Sequence, residues 1–100
     1  MNDTPKQIFH EFMIAGMRYY PWQNLNIQPQ DFLELIVEPD NRFAKHPAGA
    51  IAVAKNGTKI GHVPEVDLEK IHPVVSACQC LVSYTDLNRK YPAVLVAVVV

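Results

Sequence analysis

Aromatic and basic residues occur together at two places in the first half of this chain. Arg18-Tyr19-Tyr20 is the first group, and the second is the run EPDNRF at residues 38–43. Flat rings beside guanidinium groups can stack on bases and hold phosphate oxygens. The same residue types also suit the polar edge of a protein core. The two groups therefore mark a candidate site without fixing what it binds.

The net charge limits the kind of nucleic acid that such a site could hold. The chain has 100 residues, of which nine are basic and ten are acidic, and its net charge is −1. A protein that neutralises many phosphates of a long duplex normally carries a strong basic excess. At most a local basic patch is available here, which suits a short segment or an end.

Six strand-like segments predict a mainly β fold. The first strand is predicted over residues 9–20, ending before Pro21, and the second over residues 32–38. Asn56-Gly57 separates two strand-like runs, 50–55 and 58–63, and predicts a β-hairpin because a type I′ turn needs positive φ at both central residues. Further strands are predicted over 78–85 and 93–100, the latter paired centrally, and one short helix over 64–71, stopped by Pro73.

This order of elements favours a small six-stranded barrel, OB-like or SH3-like, with one or two short helices. One hundred residues are enough for one modest core, so a single domain is predicted over residues 1–100. The apolar run at residues 94–100 is too short to cross a bilayer as a helix, and no membrane partner is predicted.

The candidate residues at the ends of the first two strands have alternative roles. If the chain stays extended, either Tyr19 or Tyr20 points into the core and the other points away. Arg18 either contacts phosphate or forms a surface ion pair with Glu38. Phe43 either packs against its own loop, residues 40–49, or is exposed for stacking.

Polar residues around the 40–49 loop are candidates for the same site. Asn41 is predicted to be a turn residue that binds its local backbone. Lys45 and Lys59 add to a groove only if the hairpin lies beside this loop. His62 is either a histidine at the barrel edge or a ligand contact. Trp22 is either an exposed anchor for a partner or a plug at the end of the barrel, and the plug is favoured.

Patterns for catalysis and for metal binding are lacking in the sequence. There is no serine nucleophile motif, GxGxxG, P-loop or HExxH, and the four histidines have no ligand spacing. Cys78 and Cys80 are predicted to be small buried residues, with a metal site that includes His72 as a minor alternative. We therefore expect no enzyme, no catalytic residue, no metal ion and no cofactor.

The cysteine usage and the first residues bear on location. Two free cysteines are typical of a reducing cytoplasm. Residues 1–6 lack a basic segment that leads into an apolar run, so no signal peptide is predicted. A cytoplasmic location is expected.

Four motifs in order give the chain a resemblance to the HIRAN domain. They are GMRYY at 16–20, LIVEPDN at 35–41, AIAV at 50–53 and GTKIGHVP at 57–64, and the resemblance covers about residues 9–99. HIRAN domains occur in the N-terminal part of SWI2/SNF2-type DNA-repair helicases and as stand-alone bacterial and phage proteins. The resemblance implies a modified OB-like barrel, here of the stand-alone type, that binds single-stranded DNA with a preference for a free 3′ end.

Individual positions match the family unevenly. Arg18 and Tyr19 match the arginine and the stacking tyrosine after the first strand, Phe43 matches the second aromatic, and His62 matches the polar residue after the Ile-Gly pair. Ala44 stands where the family has an aspartate, which removes an acceptor for a 3′-hydroxyl. The predicted nucleic-acid-binding residues are Arg18, Tyr19, Tyr20, Asn41, Phe43, Lys45, Lys59 and His62.

Two functions of different classes follow. In the first, the domain binds single-stranded DNA or DNA ends in repair, replication or mobile-element contexts, with a helicase, nuclease or other DNA-processing protein as a further partner. Tyr19 and Phe43 then stack, Arg18 and Lys45 meet phosphate, and His62 and Asn41 supply hydrogen bonds. In the second, the chain is a protein-interaction or assembly module that kept the fold and lost the DNA-end site, as its near-neutral charge and Ala44 would favour.

Overall fold

Six strands and a single four-residue α-helix make up the regular structure of residues 7–100, which the computed structural model describes. The expectation about a signal peptide rests on residues 1–6 and lies outside this range. The elements are β1 (Ile8–Met13), β2 (Phe32–Glu38), β3 (Ala50–Lys55), β4 (Thr58–His62), α1 (Leu68–Ile71), β5 (Gln79–Asp86) and β6 (Ala93–Val99). The predicted mainly β fold is confirmed.

The strands form one antiparallel sheet that curves back on itself. Their order is β1-β6-β5-β2-β3-β4, with β6 between β1 and β5, so the central pairing predicted for the last strand is confirmed. Just after β1, Ala15 bridges to His62 at the end of β4. The Ala15 N–H donates to the His62 carbonyl at 2.8 Å, and the His62 N–H donates to the Ala15 carbonyl at 2.9 Å. The two ends of the sheet therefore meet, as in an OB-like barrel.

Alternation along β3 explains how the sheet forms both a core and a close-fitting outer surface. Ile51 and Val53 are fully buried, and the alanines Ala50, Ala52 and Ala54 alternate with them on the opposite face. Their small side chains let groups from neighbouring strands approach across β3. The core around Ile51 and Val53 consists of Phe12, Ile14, Met17, Ile27, Leu33, Ile60, Val63, Leu68, Ile71, Cys80, Val82, Val94, Val96 and Val98.

The hairpin between β3 and β4 has the predicted turn. Lys55 pairs with Thr58, which leaves Asn56 and Gly57 as the two loop residues. Their φ angles are 50° and 81°, so both central residues lie in the left-handed region that a type I′ turn requires. This hairpin prediction is confirmed.

The first strand is shorter than predicted. β1 ends at Met13 instead of continuing to residue 20, because Ala15 pairs with His62 of β4 and Gly16 then adopts a left-handed conformation with φ 75°. The next residues, Met17–Tyr19, form a 3-10 turn. Tyr19 therefore lies in a turn, whereas the backbone of Tyr20 is extended again, with φ −129° and ψ 155°. Neither ring enters the core: Tyr19 is exposed and Tyr20 is half-buried.

The segment predicted as one helix over 64–71 is divided between a 3-10 turn and the helix α1. A 3-10 turn at Glu65–Asp67 precedes α1, and another at His72–Val74 follows it. α1 ends at Ile71, the predicted end of the helix, and Pro73 lies in the 3-10 turn that follows. Leu68 and Ile71 are buried, so packing of these two side chains fixes the segment more than helix propensity does.

Trp22 and the helices bear on the remaining predictions from the sequence. Trp22 begins a 3-10 turn, Trp22–Leu25, and packs half-buried against the core. Over residues 7–100, no helix is long and apolar enough to cross a membrane.

Candidate functional site

A groove of about 830 Å³ lies on the outer surface between the turn after β1, the 40–49 loop and the start of α1. We call it the aromatic groove. Its lining residues are Tyr19, Tyr20, Asn41, Phe43, Ala44, Ala50, His62, Val63, Glu65 and Leu68. Five of the eight predicted site residues are among them. A shallower depression of about 510 Å³ continues the groove toward Glu38 and Lys59.

Two exposed rings stand at the rim of the aromatic groove, each with a guanidinium group against it. Tyr19 is 71% exposed and Phe43 is 81% exposed. The Arg18 Cζ lies 4.8 Å from the centroid of the Tyr19 ring, and the Arg42 Cζ lies 5.1 Å from that of Phe43. Of the two roles considered for Phe43, the exposed one is observed.

Arg18 is held by aromatic partners. Its Nη2 donates a hydrogen bond to the Tyr19 hydroxyl at 2.7 Å, which raises the pKa of Arg18 further above neutrality. Glu38 has other partners, so the alternative of an Arg18–Glu38 ion pair is not observed. The guanidinium is exposed and keeps most of its five N–H donors available.

Glu38 is the electrostatic centre of the shallower depression that continues the aromatic groove. Its carboxylate forms an ion pair with Lys59, accepts a hydrogen bond from His62 Nε2 at 2.8 Å and accepts another from Asn41 Nδ2 at 3.1 Å. Partial burial opposes ionisation of Glu38, but these donors outweigh it and lower the pKa of Glu38 to about 2. The carboxylate is therefore charged at neutral pH.

The histidine and tyrosine beside Glu38 are oriented by this network. A carboxylate only accepts hydrogen bonds, so His62 Nε2 carries a proton and Nδ1 faces the Tyr20 hydroxyl at 3.5 Å. The two rings are tilted, with centroids 5.9 Å apart. Both side chains line the aromatic groove.

The 40–49 loop is shaped by its own side chains. Asn41 Oδ1 accepts the Phe43 N–H at 2.9 Å, which is the local turn role predicted for Asn41. His46 stacks on His72 with ring centroids 4.6 Å apart, and His72 Nε2 donates to the Gly49 carbonyl at 2.8 Å. These contacts hold the loop against the segment after α1.

The two predicted lysines occupy different places. Lys59 lies beside the loop, as a groove role requires, but its charge is paired with Glu38. Lys45 borders a separate depression of about 570 Å³ together with Glu65 and Glu69, and its backbone N–H donates to Glu65 Oε1 at 2.7 Å. The structure therefore brings Arg18, Tyr19, Tyr20, Asn41, Phe43, Lys59 and His62 to one surface, and places Lys45 next to it.

Sequence reasoning missed several residues of the site. It considered Glu38 only as an alternative ion-pair partner of Arg18, whereas Glu38 binds His62, Lys59 and Asn41 in the depression beside the groove. It also did not place Ala50, Val63 or Leu68 in the groove lining. The alternation of small and large residues in 50–54 was the available signal, because small outer residues leave room for a recess.

The described residues contain no group of three or more His, Cys, Asp or Glu side chains that could hold a metal ion. Cys80 is buried, and burial raises the pKa of its thiol to about 12, with the neighbouring Cys78 adding to the effect. Cys78 is half-buried. The cysteine pair is thus part of the packing around β5.

A curled six-stranded sheet with a groove on its outer surface defines a small OB-like β-barrel with a candidate binding site. Its fold is that of the HIRAN domain: the chain is similar to the crystal structure of the HIRAN domain of human HLTF, with a TM-score of 0.67 over 89% of this chain and 73% of that chain, at 18% sequence identity. The fold expected from the sequence motifs is confirmed. Neither the family models nor the curated proteins include a match to this chain.

Proposed function

We propose that this chain is a non-enzymatic nucleic-acid-binding domain that takes single-stranded DNA, or the end of a DNA strand, into the aromatic groove. The observation that carries the proposal is the pair of exposed rings, Tyr19 and Phe43, at the rim of a groove of about 830 Å³. The HIRAN fold adds support, because the sequence resemblance to that family implies the same class of ligand.

Stacking supplies the affinity in this proposal. A base that lies on an aromatic side chain contributes about 1–3 kcal/mol, and the contribution does not depend on sequence because every base has a π-face. The floor below the two rings is apolar at Ala44, Val63 and Leu68. A base inserted between Tyr19 and Phe43 would therefore meet apolar surface on its edge as well.

Phosphate contacts fall mainly to Arg18. It is exposed, charged at any accessible pH and has unused N–H donors beside the groove. Lys59 is neutralised by Glu38, and Lys45 lies beside Glu65 and Glu69, so each is less available to an anion. This distribution fits a ligand with few phosphates at the site, which agrees with a strand end or a short segment.

A preference for a 3′ end is part of the proposal and depends on polar groups other than a carboxylate at residue 44. Ala44 offers no acceptor, but the Tyr20 hydroxyl, the Asn41 amide and the His62 ring all border the groove. A sugar hydroxyl could bind among them. The DNA-processing partner, the repair or replication context and the cytoplasmic location remain predictions from the sequence.

Fluorescence anisotropy with short single strands tests the proposal. The strands carry a free 3′-hydroxyl, a 3′-phosphate or a blocked 5′ end, and the Tyr19→Ala variant is the matched control. We expect the 3′-hydroxyl strand and the strand with a blocked 5′ end, which also has a free 3′-hydroxyl, to bind more tightly than the 3′-phosphate strand. The variant should bind all of them weakly. Equal affinity for all three strands would remove the end preference, and no binding to any of them would overturn the function itself.

A second candidate is a protein-interaction module on the same fold. It is favoured by the charge of the groove, where Glu38 and Glu65 border the surface and Lys59 is already paired. The dependence of binding affinity on salt concentration distinguishes the two candidate functions. Binding to phosphates weakens steeply as salt concentration rises, whereas docking of an apolar protein surface does not.

A further inference from the structure

Tyr91 extends the aromatic rim beyond the groove. It lies in the loop between β5 and β6, and its ring centroid is 5.3 Å from the Arg18 Cζ, on which Tyr19 also packs. Lys90 Nζ is 5.5 Å from the same Tyr91 ring. Two exposed tyrosines therefore share one guanidinium, with an ammonium group beside the second. We call Tyr19, Arg18, Tyr91 and Lys90 the aromatic–basic ladder.

A depression of about 340 Å³ accompanies the ladder. It is lined by Arg18, Tyr19 and Tyr91 together with Ile14, Gly16, Met17 and Pro92. Tyr19 borders both this depression and the aromatic groove, so the two recesses adjoin across a single ring. A DNA strand that leaves the aromatic groove over Tyr19 would next contact Tyr91.

The charges around the groove favour that direction for a phosphate backbone. At the ladder end are Arg18 and Lys90, whereas Arg89, the preceding residue, is paired with Asp86 at 3.8 Å. The opposite end, beside α1, carries Glu65 and Glu69 with Lys45. A chain of negative phosphates is attracted toward the first end and repelled by the carboxylates of the second.

We propose that the aromatic–basic ladder is a second binding surface that takes the nucleotides adjoining those held in the aromatic groove, with Tyr91 stacking on a base and Lys90 and Arg18 meeting its phosphates. The proposal rests on the proposed function and adds a path for the strand. If the proposal is right, Tyr91 and Lys90 contribute to binding affinity only for oligonucleotides long enough to reach them.

A length series tests this path. Binding of a thymidine dinucleotide and a thymidine hexanucleotide is measured by isothermal titration for the unaltered chain, Tyr91→Ala, Tyr91→Phe and Lys90→Ala. We expect Tyr91→Ala to weaken the hexanucleotide about fivefold or more, the lower end of what one stacked base contributes, and to leave the dinucleotide unchanged. Tyr91→Phe keeps the ring and should bind as the unaltered chain does.

Charge is tested through salt and through matched controls. Lys90→Ala should reduce the slope of log affinity against log salt by about 0.7 for the hexanucleotide, the value for one lost contact to single-stranded phosphate. Phe32→Ala and Lys70→Ala remove an exposed ring and an exposed lysine elsewhere, and should change neither slope nor affinity.

The outcomes separate the two proposals. If the unaltered chain binds neither oligonucleotide, the proposed function is wrong and the path falls with it. A second outcome is that the chain binds both oligonucleotides while Tyr91→Ala weakens the binding of both equally, or of neither. In that case binding in the aromatic groove is supported and the ladder is refuted.

Discussion

The Glu38 carboxylate on β2 and the His62 imidazole on β4 meet across the intervening strand, with Oε1 2.8 Å from Nε2. They can do so because β3 presents Ala50 and Ala52 between them, paired with Glu38 and His62 respectively. A larger side chain at either alanine would separate the two groups. The surface where the aromatic groove continues toward Glu38 therefore depends on small residues as much as on charged ones.

The first prediction concerns acid stability. The pKa of Glu38 in the folded chain is about 2, below the ordinary value of 4.5, so its ionisation stabilises the fold fully above about pH 4.5. This stabilisation is lost as the pH falls through about 2. Because the carboxylate is partly exposed and water screens its partners, we expect about 1–2 kcal/mol. Urea unfolding across this pH range measures it.

The matched variants for that experiment lie on one strand. Glu38→Gln should lower the stability at neutral pH and reduce its decline in acid. Glu34→Gln removes an exposed carboxylate that accepts a hydrogen bond from the Gly57 N–H, and should keep the decline of the unaltered chain. A Glu38→Gln variant with the full acid decline would contradict the assignment.

The second prediction concerns stacking. Tyr19→Ala should weaken binding of single-stranded oligonucleotides by roughly fivefold to a hundredfold, the range expected for one lost stacked base. The fold should be unaffected, since Tyr19 is 71% exposed. Anisotropy measures the binding and circular dichroism the fold. Unchanged affinity in a folded variant would remove the stacking model, whereas Tyr19→Phe should bind almost normally.

The third prediction concerns the closure of the barrel. A Cβ at Gly61 would lie 2.4 Å from Ile14 Cγ2 and 2.6 Å from the Ala15 carbonyl oxygen. Gly61→Ala should therefore lower the free energy of unfolding by about 2 kcal/mol or more, as overpacking does. Denaturant titration followed by the fluorescence of Trp22 measures the change.

Gly57 provides the control for that substitution. It has φ 81°, and a Cβ there would meet nothing within 4 Å. Gly57→Ala should lower the free energy of unfolding by only about 1 kcal/mol, because alanine is less stable than glycine in the left-handed conformation. If both glycine variants lost the same stability, crowding at Ala15 would not be the cause.

The fourth prediction concerns the cysteines. Cys80 is buried and its pKa is raised to about 12, so its thiolate is scarce at neutral pH. An aromatic disulfide reagent should titrate Cys78 in the native chain and reach Cys80 only on unfolding. The Cys78→Ser variant should then show almost no native reaction. A rapid reaction of that variant would mean that the strand β5 opens readily.

The hairpin and the first strand show what could be predicted from the sequence and what could not. Asn56-Gly57 was sufficient to predict the turn because its conformation is set by two adjacent residues. The end of β1 was placed wrongly because Ala15 leaves it to pair with His62, a partner 47 positions away that no local pattern reveals. Tertiary pairing overrides strand propensity at such a point.

The residues of the candidate site also fall into those that the sequence predicted and those that it did not. Tyr19, Phe43 and His62 could be named from their types and from the motif order, and all three line the groove. Neither the partners of Glu38 nor the contact of Tyr91 with Arg18 could be named, since both join segments that are distant in sequence. Residue types and motif order predicted which residues belong to the site, whereas the curvature of the sheet determines which of them are in contact.

The bridge between Ala15 and His62 offers a way to observe the groove without a label. His62 contributes its backbone to the bridge and its ring to the groove, whereas Ala15 is not among the lining residues. A ligand that holds the ring should therefore slow exchange of the Ala15 amide hydrogen with solvent, because both hydrogen bonds of the bridge become less free to open. Nuclear magnetic resonance of this one amide would report occupancy from outside the site. An unchanged exchange rate at saturation would show that the ring and the backbone of His62 respond independently.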